Sequence, residues 1–493
     1  MSRIGIDLGS TNSCCAIWDG RAARMIEIGE GVNTILPSVI TIADGEIYVG
    51  NDAIEKGKLH PEHCYRHFKR RVAHVWNDSE DTGPQTCRGA NGDLHYRGPD
   101  EFTYSPVELV SYLLATLVTA ANQRLQPLDS VTGAVICVPP DFTRAQRDAV
   151  VEAAKLAGLD DVELMHEPTA AAIANGFDAK KAKTIVVLDA GGGTVDCTAV
   201  RAGNGLIDVL ATNGNRDLGG EDFDEALADV VVNLYRTEHG TDLKVRDAAM
   251  VRIMIEAEAV KKRLSEKTET VFRVDDIDRS RDGVTQHINY PISREMFEEL
   301  TQDLRARIVN ACKALLAELK RQDVNWSIRD IHEVLCVGGM TRVPSIRQIA
   351  KEVFGKEPRR DAAPEQVVAM GAAIRAAILD GRKADITIAD VLGQAISIET
   401  TDGIAAVLVP RGMSIPFSDT FMLSNPDEGQ TEISVRLLSG DAARASACQS
   451  LWAAEIPIDA GEPETARVPL SVKINASGRA TIEVAGQVFE GVG

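Results

Sequence analysis

The sequence lacks several features that mark whole classes of protein. It contains no G-x-x-x-x-G-K-[ST] motif, which excludes the P-loop class of nucleotide-binding proteins. It has no N-terminal signal peptide and no apolar run long enough to cross a bilayer, so we expect a cytoplasmic protein without a membrane partner. Its net charge of −20 argues against nucleic acid or an anionic membrane surface as a partner.

Paired cysteine motifs are also missing. The nine cysteines are scattered and include no C-x-x-C, and the adjacent Cys14 and Cys15 would point to opposite faces of a strand. This arrangement favours reduced, buried thiols over disulfides or a zinc site. One group of histidine and cysteine residues has the spacing of a helix face: His60, His63, Cys64 and His67. Such a group could bind a transition metal, but a surface helix is the interpretation we favour.

The most informative feature present is a pair of similar glycine turns, within residues 4–13 and 186–196. Each follows an apolar strand that ends in aspartate, at Asp7 and Asp189, and each leads into a second strand. Glycine lets backbone N–H groups approach a phosphate, and an aspartate can hold Mg²⁺ or its water shell. Two ordinary turns after buried strands are the alternative. Two copies in successive halves favour duplicated lobes that clamp one nucleotide.

Two further motifs carry charge suited to phosphate chemistry. Lys69, in the segment 68–71, could neutralise charge on a transferring phosphate, although a solvated basic helix end would look the same. Glu167 begins the segment 167–172, Glu-Pro-Thr-Ala-Ala-Ala, at the end of a strand. Ligands bind at such strand ends in α/β sheets, so Glu167 is expected to project into the cleft unless it only begins a helix.

Three other segments suit a nucleoside. A glycine turn at 219–220 opens an acidic helix, and another at 338–339 follows a buried strand and precedes Arg342, which could stack on a base. Between them, four residues share one helix face: Glu258, Lys261, Lys262 and Ser265. That face could line a base and ribose, or it could be a solvated ion-pair surface.

The composition changes near residue 380. The length suggests about three or four domains. Helices are predicted at 105–125, 143–157, 221–235, 247–267, 294–320 and 367–379. Beyond these, helical periodicity disappears and short strands separated by turn residues are predicted at 404–409, 432–437, 468–474 and 480–484. The sequence therefore predicts two α/β lobes that divide near residue 180, followed by a small all-β module.

These elements, in this order and spacing, resemble the DnaK-type heat-shock chaperones of the actin-like ATPase superfamily. The resemblance covers about residues 3–380 with specific motifs and extends more weakly to about residue 485. Actin and sugar kinases share the duplicated turns but lack the 167–172 and 219–224 motifs and the β-module. The resemblance implies an α/β fold with duplicated actin-like, ribonuclease H-like lobes in 1–382, an interdomain linker at 383–392, and a β-sandwich substrate-binding module at 393–493 without the family's helical lid.

The resemblance also implies a site for ATP or ADP with Mg²⁺. Asp7 and Asp189 would hold the metal through water. The implied catalytic residues are Lys69, Glu167, Thr194 and Asp196. The implied nucleotide-binding residues are Gly9, Ser10, Thr11, Asn12, Gly191, Gly192, Gly193, Thr194, Gly219, Gly220, Glu221, Glu258, Lys261, Lys262, Ser265, Gly338, Gly339, Met340 and Arg342.

Residues outside the nucleotide site receive roles from the same resemblance. Pro139 and Arg147 match an interdomain switch, and Thr401, Phe421 and Ile433 are the candidates for client binding. The implied partners are extended apolar polypeptide segments, a J-domain cochaperone and a nucleotide exchange factor, with the chain itself a monomer.

Several positions depart from the family pattern. Ser10 replaces threonine and keeps the hydroxyl, whereas Lys262 replaces arginine and loses planar stacking. Met340 replaces serine, so we expect ATP to bind with weaker adenine discrimination. The apolar stretch at 385–390 is shorter than the family's leucine run, which predicts weaker domain coupling. Without a lid, bound peptide is expected to exchange quickly.

The function implied is that of an ATP-dependent chaperone, an ATPase that binds extended apolar protein segments under control of slow hydrolysis. Two alternatives remain open at this point. One is a nucleotide-gated scaffold for a single partner, because Thr401 is polar where an apolar residue is expected. The other is a small-molecule kinase of the same superfamily, although no acceptor pocket is evident and fold alone does not settle function.

Overall fold

The structure is a computed structural model of the chain. The described residues are 2–29, 32–78, 85–125, 130–176, 182–203, 206–245, 247–279, 282–359, 363–382, 387–392, 394–411, 413–440, 442–475 and 480–492.

The first lobe is built on a six-stranded sheet with the order β12-β11-β1-β2-β3, in which β4 also pairs with β2. Its strands are β1 Ser2–Asp7, β2 Asn12–Trp18, β3 Ala23–Met25, β4 Leu36–Pro37, β11 Val131–Val138 and β12 Asp161–His166. Two small sheets comprise β5 Val39–Ala43, β6 Glu46–Val49 and β7 Cys64–Arg66, and β8 Thr86–Arg88, β9 Leu94–Arg97 and β10 Thr103–Tyr104. The helices are α1 Asn51–Gly57, α2 Pro106–Arg124, α3 Arg144–Leu156 and α4 Glu167–Gly176.

The second lobe repeats this design. Its sheet has the order β18-β13-β14-β15-β19-β22. The strands are β13 Lys183–Ala190, β14 Val195–Gly203, β15 Leu206–Asn215, β18 Ile331–Val337, β19 Thr387–Val391 and β22 Ser414–Ile415, and a separate hairpin pairs β16 Glu269–Arg279 with β17 Thr285–Ser293. The helices are α5 Gly220–His239, α6 Asp247–Glu266, α7 Arg294–Leu300, α8 Gln302–Gln322, α9 Pro344–Phe354 and α10 Val367–Leu379.

The strand registers show the duplication directly. In the first lobe, β1 pairs antiparallel with β2 and parallel with β11, and Asp7 is the last residue of the central strand. In the second lobe, β13 pairs antiparallel with β14 and parallel with β18, and Asp189 lies one residue before the strand end. The two aspartates therefore occupy equivalent positions, each at a glycine turn.

The predicted helix at 294–320 is wrong as a single element. The chain leaves helical geometry at Thr301, which separates α7 from α8. Thr301 is fully buried, and its hydroxyl donates to the backbone oxygen of Phe297. This local hydrogen bond competes with continuation of the helix, as threonine side chains commonly do.

Helix α10 packs tightly between the lobes because its packed face is made of small residues. A Cβ on Gly371 would overlap the backbone oxygen of Ala170 in α4, and a Cβ on Gly5 in β1 would overlap the backbone of Ala373. Glycine at both positions thus allows backbone to touch backbone. The contact fixes α4, which begins at Glu167, against both lobes.

The C-terminal part consists of two four-stranded sheets, β21-β20-β24-β25 and β23-β26-β27-β28. The strands are β20 Ile396–Glu399, β21 Ala405–Val409, β23 Phe417–Leu423, β24 Glu432–Ser439, β25 Gln449–Pro457, β26 Val468–Ile474, β27 Ala480–Val484 and β28 Gln487–Val492. Alternating apolar side chains from both sheets form one core, so the predicted all-β module is confirmed.

The segment between α10 and this module joins the second lobe. Strand β19 pairs parallel with β15, where Leu206 lies opposite Thr387, and antiparallel with β22, where Asp390 lies opposite Ile415. The linker predicted at 383–392 therefore contains a strand, although residues 383–386 lie outside the described residues. Among the described helices, none is both long and apolar enough to cross a membrane.

Candidate active site

A cavity of about 990 Å³ lies between the two lobes, a volume sufficient for a nucleotide. The predicted residues that line it are Asp7, Gly9, Ser10, Thr11, Asn12, Lys69, Glu167, Asp189, Gly191, Gly192, Gly193, Thr194, Gly220, Glu258, Lys261, Lys262, Ser265, Gly338, Gly339, Met340 and Arg342. Segments that are distant in sequence thus meet at one site. Gly219, Glu221 and Asp196 lie beside the lining, not in it.

The two glycine turns face each other across this cavity. A Cβ on Gly192 would overlap the hydroxyl of Thr11, and a Cβ on Gly193 would lie 2.6 Å from the hydroxyl of Ser10. Because glycine has no Cβ, these positions allow the turns of the two lobes to approach each other closely. Glycine also leaves the backbone N–H groups accessible to an anion.

Buried carboxylates collect at the end of the cavity formed by these turns. Burial, together with the charge of Glu167, raises the pKa of Asp7 to about 7, while the charge of Lys69 opposes the rise. Burial and the neighbouring charges of Glu167 and Asp7 also raise the pKa of Asp189. Such concentrated negative charge calls for a cation. Oxygen donors of this kind fit Mg²⁺, which would bring the charge that neutralises them and a phosphate.

The arrangement of the carboxylates decides how a Mg²⁺ ion could be held. Within the described part of the chain, no group of three His, Cys, Asp or Glu side chains is arranged to hold a metal ion by itself. Mg²⁺ commonly keeps several waters and binds through one or two carboxylates plus phosphate oxygens. Asp7 and Asp189 both line the cavity, and their role in holding a hydrated metal ion stays a prediction.

Lys69 is buried at this end of the cavity. It lies in a short 3₁₀ turn, Phe68–Arg71, and its side chain is only 5% exposed, so the solvated helix end considered from sequence is excluded. Its Nζ donates to Glu167 Oε1 at 3.0 Å and lies 5.3 Å from the centroid of the Phe142 ring. A charge held this firmly in a buried site can stabilise a transferring phosphate without reorganisation.

Asp196 lies just behind the second turn. It is 2% exposed, and burial raises the pKa of its carboxyl, with the charges of Asp141, Glu167 and Asp189 adding to the rise. The Thr194 side chain is hydrogen-bonded to the Asp196 carboxyl and acts against this rise in pKa. A carboxyl and a hydroxyl so placed can orient a water molecule at the cavity wall.

The turn at 219–221 supports the second glycine turn. The backbone N–H groups of Gly220 and Glu221 donate to the carbonyl oxygens of Gly191 and Gly192, at 3.0 and 2.9 Å. The Glu221 carboxylate accepts from Arg70 at 2.7 Å. The nucleotide contacts inferred for Gly219 and Glu221 therefore stay predictions, because these residues face protein partners.

Sequence reasoning missed two arginines that join the lobes. Arg70 donates to the carbonyl oxygen of Gly193 and to the carboxylates of Glu221 and Asp222. Arg66 donates to Glu258 at 2.6 Å. All four partners lie more than 100 residues away in sequence, and a run of basic residues gives no indication of such pairing. Together the pairs hold the segment that carries Lys69 against the second lobe.

The helix face of α6 divides into two parts. Lys261 is buried, and its Nζ donates to Asp224 at 2.7 Å and to the carbonyl oxygen of Gly220 at 2.8 Å. Lys262 is exposed and pairs with Glu258 at 2.7 Å. Arg342, expected to stack on a base, is held by both carboxylate oxygens of Glu365, a cavity residue that sequence reasoning did not identify.

The Glu258 carboxylate provides a pH-dependent prediction. Burial raises its pKa, but the charges of Lys262, Arg66 and Lys261 outweigh burial and lower it to about 2, against an ordinary 4.5. A carboxyl whose pKa is lowered by folding stabilises the fold at pH values above its ordinary pKa. That contribution is lost as the pH falls towards 2. We expect Glu258→Gln to cost about 3 kcal/mol at neutral pH, with the difference from the unchanged chain shrinking below about pH 4.5.

Thermal unfolding at neutral and acidic pH measures this difference. Glu55→Gln is the matched control, since Glu55 forms an exposed pair with Lys58 and is expected to change little. A difference between Glu258→Gln and the unchanged chain that stays constant with pH would contradict the assignment.

The surface helix predicted over residues 60–67 is wrong. The chain forms a 3₁₀ turn at Pro61–His63 and then strand β7, which includes the buried Cys64. His67 has a φ of 55°, and burial lowers its pKa to about 3. The fully buried Tyr65 and Phe68 draw this segment into the core of the first lobe, which overrides the helix-like spacing.

The predicted switch residues lie on either side of the segment that joins β11 to α3, with Pro139 directly after β11 and Arg147 in the first part of α3. Pro139 is buried, and the guanidinium of Arg147 donates to the carbonyl oxygens of Phe142 and Pro140, at 3.2 and 3.4 Å. Arg147 also contacts His166 at 2.8 Å. Arg147 thus holds the segment 139–142, which includes Phe142, whose ring lies beneath the Lys69 ammonium.

The candidate client residues lie in the β-module, away from the cavity. Ile433 points into the sandwich core and is 7% exposed, and Phe421 packs partly against the same core. Thr401 lies in an exposed turn after β20. Their roles in client binding stay predictions.

Comparison with known proteins agrees with this geometry. A family model described as Hsp70 protein matches residues 3–490. The chaperone protein DnaK of Thermus thermophilus is 35% identical over 484 residues, which are 96% of this chain and 77% of that protein. The match confirms the predicted actin-like α/β fold class. Members of this family hydrolyse ATP with Mg²⁺ and bind unfolded polypeptides. The chain therefore belongs to the Hsp70 family and is an ATP-dependent molecular chaperone with ATPase activity.

Proposed function

We propose that the chain binds Mg²⁺ and ATP between its lobes, and that slow hydrolysis there controls how tightly the β-module holds an extended apolar polypeptide segment. The observation that carries this proposal is the continuous second-lobe sheet. One strand of that sheet, β13, carries Asp189, and the linker strand β19 and the module strand β22 extend the sheet at its other edge. A change in how the lobes close would therefore move the hydrogen-bonded strands β19 and β22, and with them the module.

At the site, each residue has a distinct role in hydrolysis. Asp7 and Asp189 would hold the water shell of the metal, which would supply positive charge at the phosphates. Glu167 and Asp196 orient the attacking water, and the Lys69 ammonium meets the charge that develops on the transferred phosphate. The glycines of both turns supply N–H donors, while Glu258, Lys262, Ser265 and Arg342 line the adenosine end.

Control of the module requires that its two states differ in affinity for nucleotide and for client. In the docked arrangement, strand β19 adds to the edge of β15, and opening of the lobes would disturb this edge. We assign residues 1–382 to the ATPase domain, 383–392 to the linker and 393–493 to the substrate-binding module. Client contacts are assigned to Thr401, Phe421 and Ile433.

The partners follow from the same proposal. We expect a J-domain cochaperone to stimulate hydrolysis and an exchange factor to release ADP, with the chain acting as a cytoplasmic monomer. The exposed, polar Thr401 favours a second candidate, a scaffold that accepts a single partner.

ATP turnover with and without a panel of extended apolar peptides tests the proposal. We expect slow basal turnover that many different peptides accelerate, and loss of turnover in an Asp189→Ala control. Turnover that no peptide changes would contradict coupling, and acceleration by one peptide alone would favour the scaffold.

A further inference from the structure

The adenosine end of the cavity has polar side chains whose hydrogen-bonding groups are partly engaged by the protein itself. This end is formed by α6 and by the turn Gly339–Arg342. Lys262 Nζ pairs with Glu258 at 2.7 Å, and the buried Met340 offers only a thioether, which is a weak acceptor. A site rejects a wrong ligand strongly only when that ligand leaves one of its buried polar groups unpaired. The base that fits here is therefore decided by the hydrogen-bonding capacity that remains.

The Ser265 hydroxyl can accept a hydrogen bond from a base but has no proton left to donate. Its Oγ donates to the carbonyl oxygen of Lys261, one turn earlier in α6, at 3.1 Å. A hydroxyl has a single proton, so its lone pairs alone remain for a ligand in the cavity that Ser265 lines. Adenine N1 is an acceptor and would need a donor, whereas guanine carries an N–H group at N1. Ser265 therefore matches the N1 position of guanine and not that of adenine.

Arg342 is held in one orientation and keeps unused donors. Its Nε and Nη2 both donate to the carboxylate of Glu365, and its Nη1 makes no hydrogen bond within the part of the chain that the structure describes. A guanidinium held along one edge in this way still offers a parallel pair of N–H groups, from Nη1 and Nη2, along the next edge. Such a pair suits two neighbouring acceptors.

The two purines differ in the groups that this pair of donors could meet. Guanine presents two acceptors side by side, O6 and N7, which an arginine can contact with both nitrogens. Adenine presents N7 beside an amino group, so one of the two donors would face another donor. The free edge of Arg342 thus matches guanine, as the lone pairs of Ser265 do.

We propose that the adenosine end of the cavity accepts guanine as well as adenine, so that the chain binds GTP and hydrolyses it with water to GDP and inorganic phosphate. Arg342 would recognise the O6 and N7 edge of the base rather than stack on its face, and Ser265 Oγ would accept from N1–H. The glycine turns and Lys69 would serve either nucleotide, because the phosphates of ATP and GTP are the same. This inference rests on the proposed function and names a second nucleotide for the same site.

Calorimetric titration of the nucleotide-free full chain with ADP, GDP and UDP, in the presence of Mg²⁺, tests the proposal without interference from hydrolysis. We expect the dissociation constant for GDP to lie within about 100-fold of that for ADP, since rejection of a similar shape beyond this needs a dedicated polar group. UDP should bind more weakly than GDP, because a pyrimidine lacks the N7 acceptor. Phosphate release from GTP should occur with a kcat within about tenfold of that for ATP.

Two variants test the residues assigned to the base. Arg342→Lys keeps the charge but loses the planar pair of donors, and we expect it to weaken GDP binding about tenfold more than ADP binding. Ser265→Ala removes the acceptor and should weaken GDP binding severalfold more than ADP binding. Each variant is judged by the ratio of two dissociation constants, so a lower fraction of folded protein affects both alike and leaves the ratio unchanged.

Arg321→Lys is the matched control for Arg342→Lys. Arg321 donates from Nε and Nη2 to the carboxylate of Glu318, at 2.9 and 2.7 Å, which is the same two-nitrogen geometry on an exposed helix end outside the cavity. The ratio of the GDP and ADP dissociation constants should stay that of the unchanged chain.

The proposal is overturned if GDP binds more than about 100-fold more weakly than ADP, if UDP binds as tightly as GDP, or if Arg342→Lys leaves the ratio unchanged. ATP turnover of the same preparations separates this inference from the proposed function. If peptides accelerate ATP turnover while GDP fails to bind, only the inference fails. If the chain neither binds ADP nor hydrolyses ATP, the proposed function fails first.

Discussion

Replacement of Lys69 by methionine is expected to slow ATP turnover by about 10²–10³-fold while nucleotide still binds. Methionine keeps most of the apolar stem but removes the ammonium that lies 3.0 Å from Glu167 and over the Phe142 ring. The ammonium meets charge that develops during transfer, so its loss acts on kcat more than on ground-state binding. Single-turnover kinetics together with ATP titration separate the two quantities.

A matched control is available on the same lobe. Lys58→Met removes an exposed lysine whose ammonium pairs with Glu55, and it should leave turnover unchanged. Equal kcat values for Lys69→Met and the unchanged chain would show that the buried ammonium takes no part in hydrolysis. A large loss of ATP affinity with normal kcat would instead make Lys69 a binding residue.

Replacement of Gly371 by alanine is expected to destabilise the ATPase lobes by about 3 kcal/mol or more. The added Cβ would overlap the backbone oxygen of Ala170, and neither helix backbone can move without opening the packed face of α10. Because the unfolding entropy of a unit as large as residues 1–382 is on the order of 0.8 kcal/mol/K, about 3 kcal/mol corresponds to a fall in melting temperature of about 4 °C. Calorimetry is the suitable measurement, because it can resolve the lobes from the module.

Gly339→Ala serves as the control for Gly371→Ala. A Cβ at Gly339 meets no atom within 4 Å, so its effect on stability should be small. An unchanged melting temperature in Gly371→Ala would mean that α4 and α10 tolerate separation, and that the bridge between the lobes lies elsewhere.

Local patterns sufficed to predict the elements that carry the phosphate chemistry. Apolar strands that end in aspartate before a glycine turn appear at Asp7 and Asp189 as expected, and the helix at Val367–Leu379 has its predicted bounds. These features depend on residues close together in the chain, where strand and turn preferences act directly.

Features that depend on distant partners could not be predicted in this way. Arg66, Arg70 and Arg411 find their partners across lobes or domains, and nothing in their immediate sequence distinguishes them from solvated arginines. The spacing of His60 to His67 suggested a helix, but burial of Tyr65 decided the local structure. Tertiary packing outweighs local periodicity in such short segments.

The affinity of the β-module for one extended apolar peptide, measured by fluorescence anisotropy in the presence of ATP and then of ADP, tests the central claim most directly. The linker strand β19 and the second-lobe sheet connect the two sites, so the nucleotide should change peptide affinity, with weaker binding in ATP by on the order of tenfold. The same dissociation constant in both nucleotides would contradict the claim that hydrolysis between the lobes controls the module.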